Sequence, residues 1–158
     1  MKLSEIPNFG ETAEKVRQWA EEKNIHTKKS IYAQFTYLCA EYNEYQTAEN
    51  GNEKLLEAGD VLVVLTVLFQ QYGFKIEKSK HSLFFSSFSN ELIEFSEFLI
   101  VTQRTKVDED IILIGLNNLL SSFLSETTYS KELALYFAYE KIKNRKGKTI
   151  NGTFIKEQ

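Results

Sequence analysis

Residues 57–69 read Glu57-Ala-Gly-Asp60-Val-Leu-Val-Val-Leu-Thr-Val-Leu-Phe69. Two carboxylates lead directly into a run of aliphatic side chains that only Thr66 interrupts. The run Val61–Phe69 is about half of the roughly 20 residues that a membrane-spanning helix needs, so it reads as a buried helix of a soluble protein. That helix is predicted from about Glu53 to Tyr72, stopping at Gly73. Glu57 and Asp60 stand at i, i+3 and share a face. They continue the stripe of Val61, Val64 and Leu68 rather than opposing it. A carboxylate beside a core stripe is costly unless it is paired or coordinates a cation.

Upstream, Glu41-Tyr-Asn-Glu44 repeats the i, i+3 spacing, with Glu41 in line with Leu38 and Tyr45. Twelve residues separate the two acidic pairs, and Asn50-Gly51-Asn52 among them is a turn signal. Gly51 suits a left-handed C-cap of the preceding helix. Two helices joined so tightly run antiparallel, and the pairs can then present four carboxylates to one space. Four such charges repel unless cations sit between them, and hard oxygen donors suit Mg²⁺. Gly59, inside the helix, costs about 1 kcal/mol relative to Ala. Its presence predicts close approach of a neighbouring helix or a ligand.

The whole chain supports a helical reading. It has 158 residues with one Pro, seven Gly and one Cys, is 42% hydrophobic and 26% charged, and carries a net charge of −3. That length suits one domain with a real core. The single Cys excludes a disulfide scaffold and a multi-cysteine metal site. The charge argues against a nucleic-acid binder that works by overall charge. The first ten residues lack an apolar run behind a basic start, so no signal peptide is expected and a cytoplasmic location is. Six helices are predicted, over about 11–23, 30–49 (with Ser30 as N-cap), 53–72, 82–103, 108–124 and 130–144. An irregular basic tail follows, marked by Lys146-Gly147-Lys148 and Asn151-Gly152.

An ungapped shift of 50 residues lays the fourth and fifth helices on the second and third. Phe85 falls on Phe35, Glu91 on Glu41, Glu94 on Glu44 and Asp110 on Asp60, while Val107 falls on Glu57. Two related hairpins predict a four-helix bundle within one chain, flanked by an N-terminal helix and a C-terminal helix with its tail. The expected organisation is a single all-α domain over 1–158. It divides into an acidic hairpin at about 30–73, a repeat at about 80–124 and a basic tail at about 141–158.

The acidic motif resembles the metal-binding signature of the all-alpha nucleoside triphosphate pyrophosphatases. That superfamily includes MazG-like proteins, the dimeric dUTPases and phosphoribosyl-ATP pyrophosphatases. Val16–Ile25, with Trp19, is similar to the family's lead-in helix, and Gln34 stands where MazG-like proteins often have glutamine. Lys141–Lys156 resembles the tail of phage-type MazG-like proteins, so the likeness covers about Val16 to Lys156. It implies Mg²⁺-dependent hydrolysis of a (d)NTP to the monophosphate and pyrophosphate, in house-cleaning or nucleotide-pool control, with Mn²⁺ as a substitute metal. Glu41, Glu44, Glu57 and Asp60 would then be metal ligands and catalytic residues. The second hairpin would be a degenerate copy, with Val107 in place of a ligand. The resemblance also implies a homodimer or homotetramer, with no membrane and no stable nucleic-acid partner.

Acids alone would repel a triphosphate, and Lys141–Lys148 supplies five basic residues in eight. Arg145 can grip phosphate bidentately, while Lys141 and Lys148 act as point charges. Asn144 suits phosphate or sugar, and Gly147 and Gly152 would let the tail fold over a ligand. Trp19 and Gln34 are candidates for contacting a base, with core packing and a structural role as the competing readings. His26 and His81 have no partner pattern. Cys39 reads as a buried, inert thiol, and the Phe residues from Phe84 to Phe98 read as core. Two other functions fit the same pattern: a nucleotide-binding regulatory pseudoenzyme and a helical interaction module without turnover.

Overall fold

The structure, a computed structural model, describes residues 5–27, 31–78, 85–150 and 153–157. Its elements in chain order are α1 (Phe9–Glu22), α2 (Ile31–Thr47), α3 (Gly51–Gln71), a 3-10 turn (Ile76–Lys78), α4 (Phe88–Thr102), α5 (Glu109–Glu126), α6 (Lys131–Ile142), β1 (Gly147–Ile150) and β2 (Thr153–Lys156). The fold is all-α apart from the terminal hairpin, as the periodicity predicts. The expected cap at Ser30, His81 and Gly152 lie outside the described residues, and α4 begins at Phe88 behind an N-cap at Ser87, later than the expected start at about 82.

Local chemistry sets the helix ends. Asn8 Oδ1 accepts the Glu11 N–H at 3.0 Å at the start of α1. Asn50 Oδ1 accepts from both Asn52 and Glu53 at the start of α3. Such caps satisfy backbone donors that have no partner within the helix. The turn signal at Asn50-Gly51-Asn52 is therefore an N-cap, and Gly51 is the first residue of α3 rather than a left-handed C-cap. The left-handed residues among those described are Asn24 (φ 58°) and Gly73 (φ 85°). Each closes a helix with paired backbone bonds. Ile25 N–H reaches Ala20 O at 3.0 Å and Asn24 N–H reaches Glu21 O at 2.9 Å. Phe74 N–H reaches Phe69 O and Gly73 N–H reaches Gln70 O, both at 2.9 Å.

The chain divides into two compact units, Met1–Glu77 with Tyr129–Gln158, and Lys78–Thr128. The acidic hairpin and the repeat expected within one domain thus fall in different units. In the first unit α3 is the core element, buried at every residue from Ala58 to Phe69. Its main neighbours are α2, α6 and α1, and α1 also packs on α6. Gly59 explains how close α6 comes, because a Cβ there would stand 2.2 Å from Ala134 O and 2.8 Å from Ala138 Cβ. The tail is also more ordered than expected. β1 and β2 pair antiparallel with Lys148 opposite Ile155, and Thr149 Oγ1 donates to Lys23 O at the end of α1.

In the second unit α4 packs on α5. Phe88 and Phe123 meet with ring centroids 5.3 Å apart, and Glu126 Oε1 accepts the Phe88 N–H at 2.7 Å. Phe88 and Phe95 are buried, as expected of that Phe-rich segment, whereas Phe85 is exposed. No helix among the described residues is long and apolar enough to cross a membrane.

Candidate metal centre

The acidic centre stands on α2 and α3 of the first unit. Glu41 and Glu44 lie on α2, Glu57 and Asp60 on α3. Ligand oxygens of Glu41, Glu44 and Glu57 all lie within 4.8 Å of one another. Glu44 is exposed, Glu41 and Glu57 are half-buried, and Asp60 is 8% exposed. The antiparallel hairpin thus brings its two acidic pairs to one place. Asp60 has its own partner, since Lys141 Nζ at the end of α6 donates to its Oδ2 at 2.5 Å.

The electrostatics reflect crowding. Burial, followed by the charges of Asp60, Glu44 and Glu57, pushes the Glu41 carboxyl up to about 7, with Lys141 opposing. Burial and then Asp60 push Glu57 up as well, again against Lys141. Glu57 Oε2 is buried and receives no hydrogen bond from the protein. A buried carboxylate oxygen left without a donor is costly. Three convergent carboxylates with one orphaned oxygen form a donor set that fits a hard divalent cation.

A cavity of about 160 Å³ adjoins the acids. Glu41, Asp60 and Arg145 contribute polar walls, and Trp19, Gln34 and Tyr37 contribute planar ones. Gln34 Nε2 donates to Val64 O at 3.2 Å, which orients its side chain against α3. Gln34 and Trp19 are thus both buried and line the cavity. Tyr37 escaped the sequence reading, although it lies three residues after Gln34 and four before Glu41, on their helix face.

The basic segment is divided. Lys141 is on Asp60 and Arg145 is at the cavity, while Lys143 pairs with Glu140 at 2.6 Å. Asn144 is exposed and is not among the cavity residues. Lys148 lies in β1, its side chain outside the described set. Cys39 is exposed rather than buried, yet desolvation around its sulfur pushes the thiol up, which keeps thiolate scarce.

The aligned acids of the second hairpin have other partners. Glu91 is 5% exposed, and its Oε1 accepts from Ser86 N–H at 2.6 Å and Ser86 Oγ at 3.0 Å. Asp110 is exposed in the first turn of α5. Among the described residues only Glu41, Glu44 and Glu57 form a group of three potential metal ligands. No protein-family model, curated protein or solved structure matches the chain.

Proposed function

We propose that this protein is a Mg²⁺-dependent nucleoside triphosphate pyrophosphohydrolase that releases pyrophosphate from a (d)NTP. The observation that carries this reading is the convergence of Glu41, Glu44 and Glu57 beside a cavity that Asp60, Arg145, Trp19, Gln34 and Tyr37 help to line. Glu41, Glu44 and Glu57 would hold the metal, with Asp60 as the fourth carboxylate. A bound Mg²⁺ supplies charge neutralisation at phosphate oxygens and a lowered pKa for a coordinated water. Arg145 offers planar, bidentate donors for a phosphate. The cavity is similar in volume to the roughly 150 Å³ space that takes up a benzene ring, so one heterocyclic ring suits it. Trp19 and Tyr37 offer faces for stacking.

The test is a panel of (d)NTPs with Mg²⁺, reading pyrophosphate and orthophosphate separately. The expected outcome is pyrophosphate release that a chelator abolishes and that Glu41→Gln or Asp60→Asn removes. Release of orthophosphate alone sinks the proposal. Tight nucleotide binding without turnover replaces it with a regulatory nucleotide binder. The accompanying expectation of a homodimer or homotetramer is checked by light scattering.

A further inference from the structure

Among the described residues, Lys141 is the one cation in an ion pair with any of the four acids of the centre. Its partner Asp60 is held firmly. It is 8% exposed and belongs to the buried span of α3, next to the Gly59 contact that fixes α6 against it. The lysine is held differently. Its side chain is 40% exposed and it is the penultimate residue of α6. A flexible stem carries a compact point charge, so the ammonium can leave Asp60 while the helix backbone stays in place. The same ammonium opposes the upward shift of Glu41 and Glu57. It therefore acts on Glu41 and Glu57 as well as on its partner Asp60. An ammonium and a divalent cation on one carboxylate would repel at contact distance.

We propose that Lys141 is the resident counter-ion of the acid cluster, bonded to Asp60 in the metal-free protein and displaced from it when a divalent cation joins the carboxylates. Metal entry and release of the Lys141 ammonium from Asp60 are then one event. This inference rests on reading the acids as a divalent-cation site.

The experiment is a calorimetric titration of the metal-free full-length chain with Mn²⁺, run on the wild type, Lys141→Met, Lys141→Arg and Glu41→Gln. Lys141→Met should bind Mn²⁺ about tenfold more tightly than the wild type, equivalent to about 1.4 kcal/mol. Lys141→Arg keeps the charge and should stay within about threefold of the wild type. In a second measurement the wild type is acetylated at its amines and Lys141 is followed by mass spectrometry. Saturating Mn²⁺ should speed its modification several-fold, and Glu41→Gln should abolish that response. Unchanged affinity in Lys141→Met, with Mn²⁺ bound by the wild type and lost in Glu41→Gln, overturns the exchange and leaves the metal reading standing. Tighter binding with no change in Lys141 acetylation also overturns it, because the lysine then acts without moving. Absence of Mn²⁺ binding in both the wild type and Lys141→Met overturns both. If circular dichroism shows that Lys141→Met does not fold, the acetylation rate of the wild type decides.

Discussion

Gly59 faces the backbone of Ala134 so closely that a Cβ at residue 59 would meet the Ala134 carbonyl oxygen at 2.2 Å. The obstacle is main chain, which cannot rotate aside as a side-chain tip can. Ala in place of Gly improves helix propensity by about 1 kcal/mol, but overpacking costs about 1–3 kcal/mol. Gly59→Ala is therefore expected to destabilise the fold by a net ~1 kcal/mol, read as a lower urea midpoint, and to separate Lys141 from Asp60. A variant as stable as the wild type would mean that α6 does not approach α3 this closely.

Gly73 provides the contrasting case. Its φ is 85°, yet an added Cβ would find nothing within 4 Å. Gly73→Ala is expected to cost about 1 kcal/mol through the left-handed backbone alone. Gly73→Asn should cost less, since Asn tolerates that conformation better. Equal losses for the two variants, measured by chemical denaturation, would contradict a purely conformational origin.

The acid cluster gives the metal-free protein an unusual pH response. The Glu41 carboxyl is raised from 4.5 to about 7 in the folded state. Between those values the native state holds more protons than the unfolded chain, so stability falls as pH rises from about 4.5 to about 7. Glu41→Gln removes this contribution and is expected to stabilise the metal-free protein at pH 7.5 relative to the wild type. Solvent screening at this half-buried group keeps the gain near ~1 kcal/mol. Glu57, shifted in the same direction, should preserve part of the slope. Denaturation in a chelator at pH 5 and pH 7.5 checks this, and a Glu41→Gln variant less stable at pH 7.5 would count against it.

A divalent cation should reverse that strain. A ligand bound only by the native state stabilises by about 2.7 kcal/mol at a hundredfold excess over its Kd. Saturating Mg²⁺ or Mn²⁺ is expected to raise the melting temperature of the wild type. Glu44→Gln and Glu57→Gln should reduce that rise, because each removes one of the three convergent donors. An identical rise in all three proteins would place the metal elsewhere.

Much of this was legible in the chain. The aliphatic run Val61–Phe69 marked the buried helix, because a helix apolar on every side has no face to give to water. The i, i+3 spacing put each acidic pair on one face, and the short link between α2 and α3 turned the faces together. Gly59 announced a close neighbour but could not name it. That α6 is the neighbour depends on contacts between segments far apart in sequence, on which local periodicity is silent. The same limit explains the mistaken role of Gly51. Asn-Gly-Asn permits either a C-cap or an N-cap, and the bonds of Asn50 to Asn52 and Glu53 decided it. The tail was expected to be irregular because Lys146-Gly147-Lys148 and Asn151-Gly152 read as breaks in regular structure. Its pairing and the Thr149 bond to Lys23 ordered it.

The sequence by itself determined the helices and the acidic pairs, because both follow from spacing along one strand of chain. Only the tertiary structure decided which charges meet. Lys141 stands 81 residues from Asp60 and reaches it across the Gly59–Ala134 contact, while Glu91 is occupied by Ser86 beside its own helix. The strength of a charge interaction depends on separation in space and on burial, and neither quantity is written in the order of residues.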